Sequence, residues 1–443
     1  MKTWVRYGKE QLTLQMPDDT RVIQTPHAQP LADPKTQVSQ VLDDPIDCPP
    51  LAKLAGNLPD TAKLVIVISD ITRPVPNQTL LEPLLGKLKS AGVTSNMITI
   101  LIATGMHRPS VPAEKTELVG RQIASSYRIV DHKADDSQSL VPLGVATPHG
   151  QEVWVDRLYM EADLKIVTGF IEPHMMAGYS GGRKAVCPGL ANLQTIQRFH
   201  GADLLDNPNS AACTLKGNPC HEEALAVARA AGIDFLLNVV VNPDKEILTV
   251  VAGDSEHAHA QGAAWHGEHC TISDAGQYDI VITCGGGYPL DTTFYQAVKG
   301  MVLAEPLVRA GGIMVEAASC TDQIGSKEYE KIMFRWKDDW PGFLRDILSR
   351  PDVQRDQWEL QVQTRVLKKI GKSNLFFITD GIDEQTLGKL NVTPATCQTN
   401  SPTNQPQQSM QALIDRLAAE NPQASWAVVP DGPYIAVRSA NDL

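Results

Sequence analysis

What this chain lacks narrows its class first. No stretch approaches the roughly 18 consecutive apolar residues of a membrane span. The opening residues, MKTWVRYGKEQLTLQMPDD, alternate like a strand and hold no apolar core of signal-peptide length. Basic charge is scarce: 39 lysines and arginines stand against 51 acidic residues, a formal net charge of −12. That balance argues against non-specific nucleic-acid binding, which needs a cationic surface. None of the 8 cysteines forms a CxxC pair, so neither a zinc ribbon nor a disulfide framework is indicated. The Walker pattern GxxxxGK[ST], the GxGxxG fingerprint and HExxH are missing as well. These absences favour a cytoplasmic protein whose thiols are buried in a reducing compartment.

What is present reads as an enzyme-sized α/β protein. With 443 residues, 42% hydrophobic and 20% charged, the chain can bury a large core in two or three domains. Short β-branched runs end in small or polar residues and pass into helical patterns: LVIVIS (Leu64–Ser69), ITILIA (Ile98–Ala103), LKIVT (164–168) and YDIVIT (278–283). Residues 235–241 and 247–252 read as a strand pair joined through Asn242, Pro243, Asp244 and Lys245. Runs 312–316 and 375–380 are further strands, and 294–309 is helical. This rhythm predicts a largely parallel sheet in each half. The expected division is an N-terminal α/β domain over 1–270 and a Rossmann-like α/β domain over 271–408. The histidine-bearing segment 257–276 would be a linking helix, 391–408 a polar linker, and the tail 409–443 would return to the first domain.

Ligands of open α/β sheets sit beyond the carboxyl ends of strands. Asp70 and Arg73, His107, His174, and the turn Gly285–Gly286–Gly287 all fall at such ends, which suggests one shared cleft. In GFIEPHMMAGYSGGRKAVCPGLA (169–191), Gly178, Ser180, Gly181 and Gly182 form a turn whose N–H groups suit an anion, next to the amine of Lys184. A tight turn with a surface basic pair explains the same letters locally. Arg73 suits a carboxylate, although an ordinary ion pair is the simpler local reading. Imidazoles at 107, 174 and 200 titrate near neutrality and bind late first-row metals, whereas His257, His259, His266 and His269 resemble a polar linker. Tyr295 and Lys299 share a helix face, with Gln296 at its edge and Trp358 a candidate aromatic wall.

Five ordered blocks carry a resemblance to the lactate racemase family, the enzymes that use a nickel-pincer nucleotide. They are DITRPVP (70–76), ATGMHRPS (103–110), the 169–191 motif, the RFH ending at His200, and DTTFYQAVKG (291–300). The resemblance implies two α/β domains with the cofactor in the cleft between them. It also implies a racemase or epimerase of 2-hydroxy acids, and maturation proteins that supply the cofactor. Lys184 would anchor the nickel pyridinium-3-thioamide-5-thiocarboxylic acid mononucleotide covalently, with Asp70, Gly178, Ser180, Gly181 and Gly182 around it and His200 on the nickel. His107 and His174 would alternate as acid and base. Arg73 and Lys299 would hold the substrate carboxylate, flanked by Tyr295, Gln296 and Trp358. Proton-coupled hydride transfer fits such a substrate, because direct removal of its weakly acidic α-proton would build a carbanion beside a carboxylate.

Malate, an aromatic 2-hydroxy acid or an aldonate would suit the same chemistry, with Arg108 and Arg183 as basic candidates for the distal end of the pocket. A phosphate- or nucleotide-binding paralogue without racemisation is the alternative of a different class. A zinc hydrolase is weaker, because no close histidine–carboxylate ligand motif is present.

Overall fold

A computed structural model describes residues 1–26, 28–272, 276–395 and 405–437. The chain divides into two compact units, the first made of 27–200 and 207–270, the second of 1–26, 201–206 and 271–443.

The first unit is built on a six-stranded sheet in the order Ile247–Gly253, Phe235–Val241, Leu164–Phe170, Leu64–Ser69, Ile98–Ala103, Arg128–Asp131. Every neighbouring pair is parallel except the hairpin of the first two strands. Leu64–Ser69 lies inside this sheet and is buried along almost its whole length, which explains its unbroken apolar run. Helix Asn77–Ser90 covers one face through Leu80, Leu81, Leu84, Leu85 and Leu88, spaced at helical intervals.

The second unit holds a wholly parallel six-stranded sheet: Thr393–Pro394, Leu375–Ile378, Val308–Ala317, Tyr278–Cys284, Trp426–Val428, Arg21–Val22. The antiparallel pair Lys2–Tyr7 and Glu10–Gln15 adds Val5, Leu12 and Leu14 to the core containing Ile280, Ile282 and Trp426.

Three expectations of organisation are corrected. The C-terminal tail does not return to the first unit: Trp426–Val428 pairs with Tyr278–Cys284, and helix Gln405–Glu420 buries Met410, Leu413, Ile414 and Leu417 in the same core. The physical reason is that Tyr278–Cys284 is an apolar strand needing a partner on each edge. Residues 1–26, expected in the first domain, belong to the second unit, because Arg21–Val22 pairs with Trp426–Val428 and Val5, Leu12 and Leu14 are buried in that core. Finally, His257–His269 is no linker but a 13-residue helix of the first unit that buries Ala258, His259, Gly262, Ala263 and His266. Of the expected linker 391–408, residues 396–404 lie outside the described residues.

Candidate active site

Three neighbouring strands of the first sheet deliver the candidate side chains. Asp70 directly follows Leu64–Ser69, His107 lies four residues beyond Ile98–Ala103, and His174 ends the short strand Pro173–His174 that follows Leu164–Phe170. The Asp70 carboxylate is buried and its Oδ2 lies 2.5 Å from His107 Nδ1, while Oδ1 accepts from the Thr72 hydroxyl at 2.6 Å. Burial raises the Asp70 carboxyl, but the bonds from His107 and Thr72 and the charge of Arg73 prevail and hold it below its ordinary value. An ionised Asp70 fixes the His107 tautomer with its proton on Nδ1, leaving Nε2 as the proton acceptor.

His174 is oriented from its own turn, where Nδ1 accepts from the N–H groups of Met176 at 3.3 Å and Ala177 at 3.2 Å. Its Nε2 lies 3.3 Å from Lys184 Nζ. Lys184 rests over the Phe199 ring, 4.9 Å from its centroid. Burial, then the charges of Arg183 and Arg73, bring the Lys184 amine down to about 7. A substantial fraction is therefore unprotonated near neutrality, the condition for a nucleophilic lysine.

His200 closes helix Leu193–Phe199 and stands edge-on to Phe199 at 4.8 Å. Its Nδ1–H donates to the Ile196 carbonyl at 2.8 Å, which places the lone pair on Nε2. Burial dominates its titration and holds the imidazole down to about 3. A neutral, oriented imidazole with a backbone bond on its second nitrogen is the form that ligates metals. No group of three or more histidine, cysteine, aspartate or glutamate side chains fit to hold a metal occurs among the described residues. His200 by itself offers one imidazole donor through Nε2.

Arg73 is exposed, and its guanidinium has no hydrogen-bond partner among the described residues. Arg108 is held in a fork on Glu114 at 2.9 and 2.6 Å. Arg183 is reassigned. It is buried and donates to the carbonyls of Ala177 at 2.7 Å and Tyr179 at 2.9 Å, so it braces the loop from within.

The glycine-rich turn differs from an open anion cradle. The N–H groups of Tyr179, Ser180, Gly182 and Lys184 bond internally to Ala177 O, Glu172 O, Asn238 Oδ1 and Gly181 O. Gly178 and Gly181 have φ of +76° and +79°, and a Cβ at Gly178 would lie 2.2 Å from the Thr214 carbonyl oxygen. These glycines serve close packing and left-handed backbone. Gly285–Gly287 is likewise filled, since Gly286 meets Pro433 and Gly287 meets Arg6 and Gly8.

Within the second unit, Lys299 Nζ donates to Gln296 Oε1 at 2.6 Å, and Trp358 Nε1–H donates to Tyr295 Oη at 2.9 Å. Burial, then the neighbouring carboxyls of Glu359 and Asp356, raise the Tyr295 phenol well above its ordinary value and keep it protonated. Burial also lifts the Glu359 carboxyl, opposed by the charge of Lys299. Glu359 and Asn238 escaped the sequence reading, and His259, expected in a polar linker, is instead buried against Arg183 and the Ser180 carbonyl. Asn238 carried a usable signal as the one polar residue inside FLLNVVV.

Fold and side chains define a two-unit α/β protein with oriented imidazoles and a near-neutral amine at the strand ends of one sheet. The chain belongs to the lactate racemase family. Its residues 7–213 match the lactate racemase N-terminal domain, and 273–437 match the C-terminal domain. It is 33% identical over 442 residues to the lactate racemase of Thermoanaerobacterium thermosaccharolyticum, covering 98% of each chain. It is 34% identical over 403 residues to that of Lactiplantibacillus plantarum, covering 90% of each. The solved lactate racemase apoprotein of the former organism superposes with a TM-score of 0.88 at 32% identity, over 99% of this chain and 100% of that one. A Thermotoga maritima protein at 17% identity and TM-score 0.64, over 92% of this chain and 99% of that one, shares the fold.

Proposed function

We propose that the protein racemises or epimerises a 2-hydroxy acid of the lactate class, with a nickel-pincer nucleotide as cofactor. The observation that carries this is the arrangement in one unit of an Asp70-oriented His107, a His174 within 3.3 Å of the Lys184 amine, and a neutral His200. Lys184 is the proposed covalent anchor and His200 the proposed nickel ligand. When bound, the cofactor supplies a reversible acceptor for the two electrons and the α-hydrogen of the substrate.

The chain's own residues manage binding and protons. Arg73, with an uncommitted guanidinium, holds the substrate carboxylate, and the same task is proposed for Lys299 with Gln296. His107 Nε2 takes the hydroxyl proton of one enantiomer, and Asp70 stabilises the imidazolium that forms. His174 is proposed for the same service on the other enantiomer, each histidine acid in one direction and base in the other. Its Nε2 carries the proton while Nδ1 accepts from Met176 and Ala177, so its turn as base requires the other tautomer. Tyr295 and Trp358, locked together by their hydrogen bond, form a rigid polar wall. The protein would act in the cytoplasm, loaded by maturation proteins.

Production together with nickel-pincer maturation enzymes tests the reading. The expected result is a stoichiometric mass increase mapping to Lys184, bound nickel, and interconversion of D- and L-lactate on chiral analysis. An adduct with nickel but no lactate turnover would move the substrate to malate, an aromatic 2-hydroxy acid or an aldonate. Neither adduct nor nickel, beside a loaded relative, would overturn the cofactor assignment in favour of a phosphate-binding paralogue.

A further inference from the structure

The first unit contains a cavity of about 420 Å³ that none of the proposed catalytic side chains lines. It lies against helix Pro219–Ala231 and the first turn of helix His257–His269, with Arg183 in its wall. Its volume falls in the range of small-molecule sites, about 300–1,000 Å³.

The charge in this cavity is unbalanced. Arg183 is buried, yet its Nη groups meet only the carbonyls of the loop and His259, and no carboxylate pairs with it among the described residues. Its Nε–H and the Nδ1 of His221 are buried without hydrogen-bond partners. Glu256 is the sole acid lining the cavity among the described residues, and both its oxygens are held by Arg229 at 2.7 Å. A buried cation without a counter-charge is unfavourable, and a bound anion relieves it. Burial and the Arg183 charge hold His221 down to about 4, so it brings a neutral hydrogen-bonding nitrogen. Leu215, Leu225 and Ile233 also line the cavity and supply apolar surface.

We propose that this cavity binds a small carboxylic acid with an apolar body, its carboxylate toward Arg183 and His221 and its body against Leu215, Leu225 and Ile233. The site is separate from the proposed racemisation machinery. Arg183 links the two, because it also gathers the carbonyls of the loop that presents Lys184.

Calorimetric titration of the full chain with hexanoate tests this. Saturable one-site binding in about the millimolar range is expected. Leu225→Trp, which fills the apolar wall, should weaken it about tenfold, and uncharged hexanamide should bind about tenfold more weakly than hexanoate. If Leu225→Trp does not fold, His221→Ala gives the same readout. Arg73→Ala should leave hexanoate affinity unchanged, which separates this cavity from the proposed substrate site. No saturable heat, equal affinity in the filled variant, loss of binding in Arg73→Ala, or inorganic phosphate binding as tightly as hexanoate would each overturn the proposal.

Discussion

Asp70 Oδ2 and His107 Nδ1 lie 2.5 Å apart, joining the ends of two adjacent parallel strands through one buried carboxylate. Asp70→Asn keeps the shape but removes the charge that stabilises an imidazolium. Charge-assisted hydrogen bonds of about 1.5–3 kcal/mol translate into a roughly ten- to hundredfold loss of kcat/KM. Steady-state kinetics from both enantiomers measure it, and unaltered values would remove Asp70 from the proton path.

The Lys184 amine, brought down to about 7, should react early. Labelling of cofactor-free protein by an amine-specific reagent, mapped by peptide mass, is expected to rise at Lys184 through pH about 7. Exposed lysines should follow near their ordinary value of about 10.4. Between these values the unfolded chain binds more protons at this residue than the folded one, so its contribution makes stability rise with pH. Labelling at Lys184 in step with the surface lysines would contradict its burial.

The half-buried imidazole of His200 and the buried one of His259, each held down to about 3 chiefly by desolvation, give the same sign on the acid side. Below about pH 6.5 the unfolded chain takes up protons that the folded chain refuses, so stability falls as pH drops toward 3. The slope approaches about 1.4 kcal/mol per pH unit for each such histidine. Thermal melts from pH 7.5 to 4.5 should show this decline, and His259→Gln should flatten it; identical slopes would place His259 in contact with solvent.

Gly178→Ala should destabilise the protein by about 2 kcal/mol or more, since φ is +76° and the new Cβ meets the Thr214 carbonyl oxygen. A lowered denaturation midpoint together with loss of the Lys184 adduct would tie loop packing to lysine presentation. Wild-type stability would refute the close approach.

Strands such as Leu64–Ser69 and Ile98–Ala103 were legible because burial on both faces demands unbroken β-branched runs. The tail was not, because three residues, Trp426–Val428, are too few to show which sheet they complete. At the site, the residue types at 70, 107, 174, 184 and 200 stood out through their strand-end and turn contexts. Their pairings did not. Asp70 and His107 are 37 positions apart, and only sheet order makes them neighbours. Arg183 looked like a basic handle because its partners are backbone carbonyls, which no side-chain pattern reveals.

The second sheet ends with Arg21–Val22 bonded to Trp426–Val428, so the start of the chain is a strand for which the end of the chain is the template. During synthesis those first residues emerge long before anything they can pair with. The strands of the first unit, all within 64–253, are complete well before the ribosome reaches residue 426. Vectorial synthesis therefore gives the lysine-bearing unit the chance to fold first, while the other sheet stays open until residues 426–428 have been made.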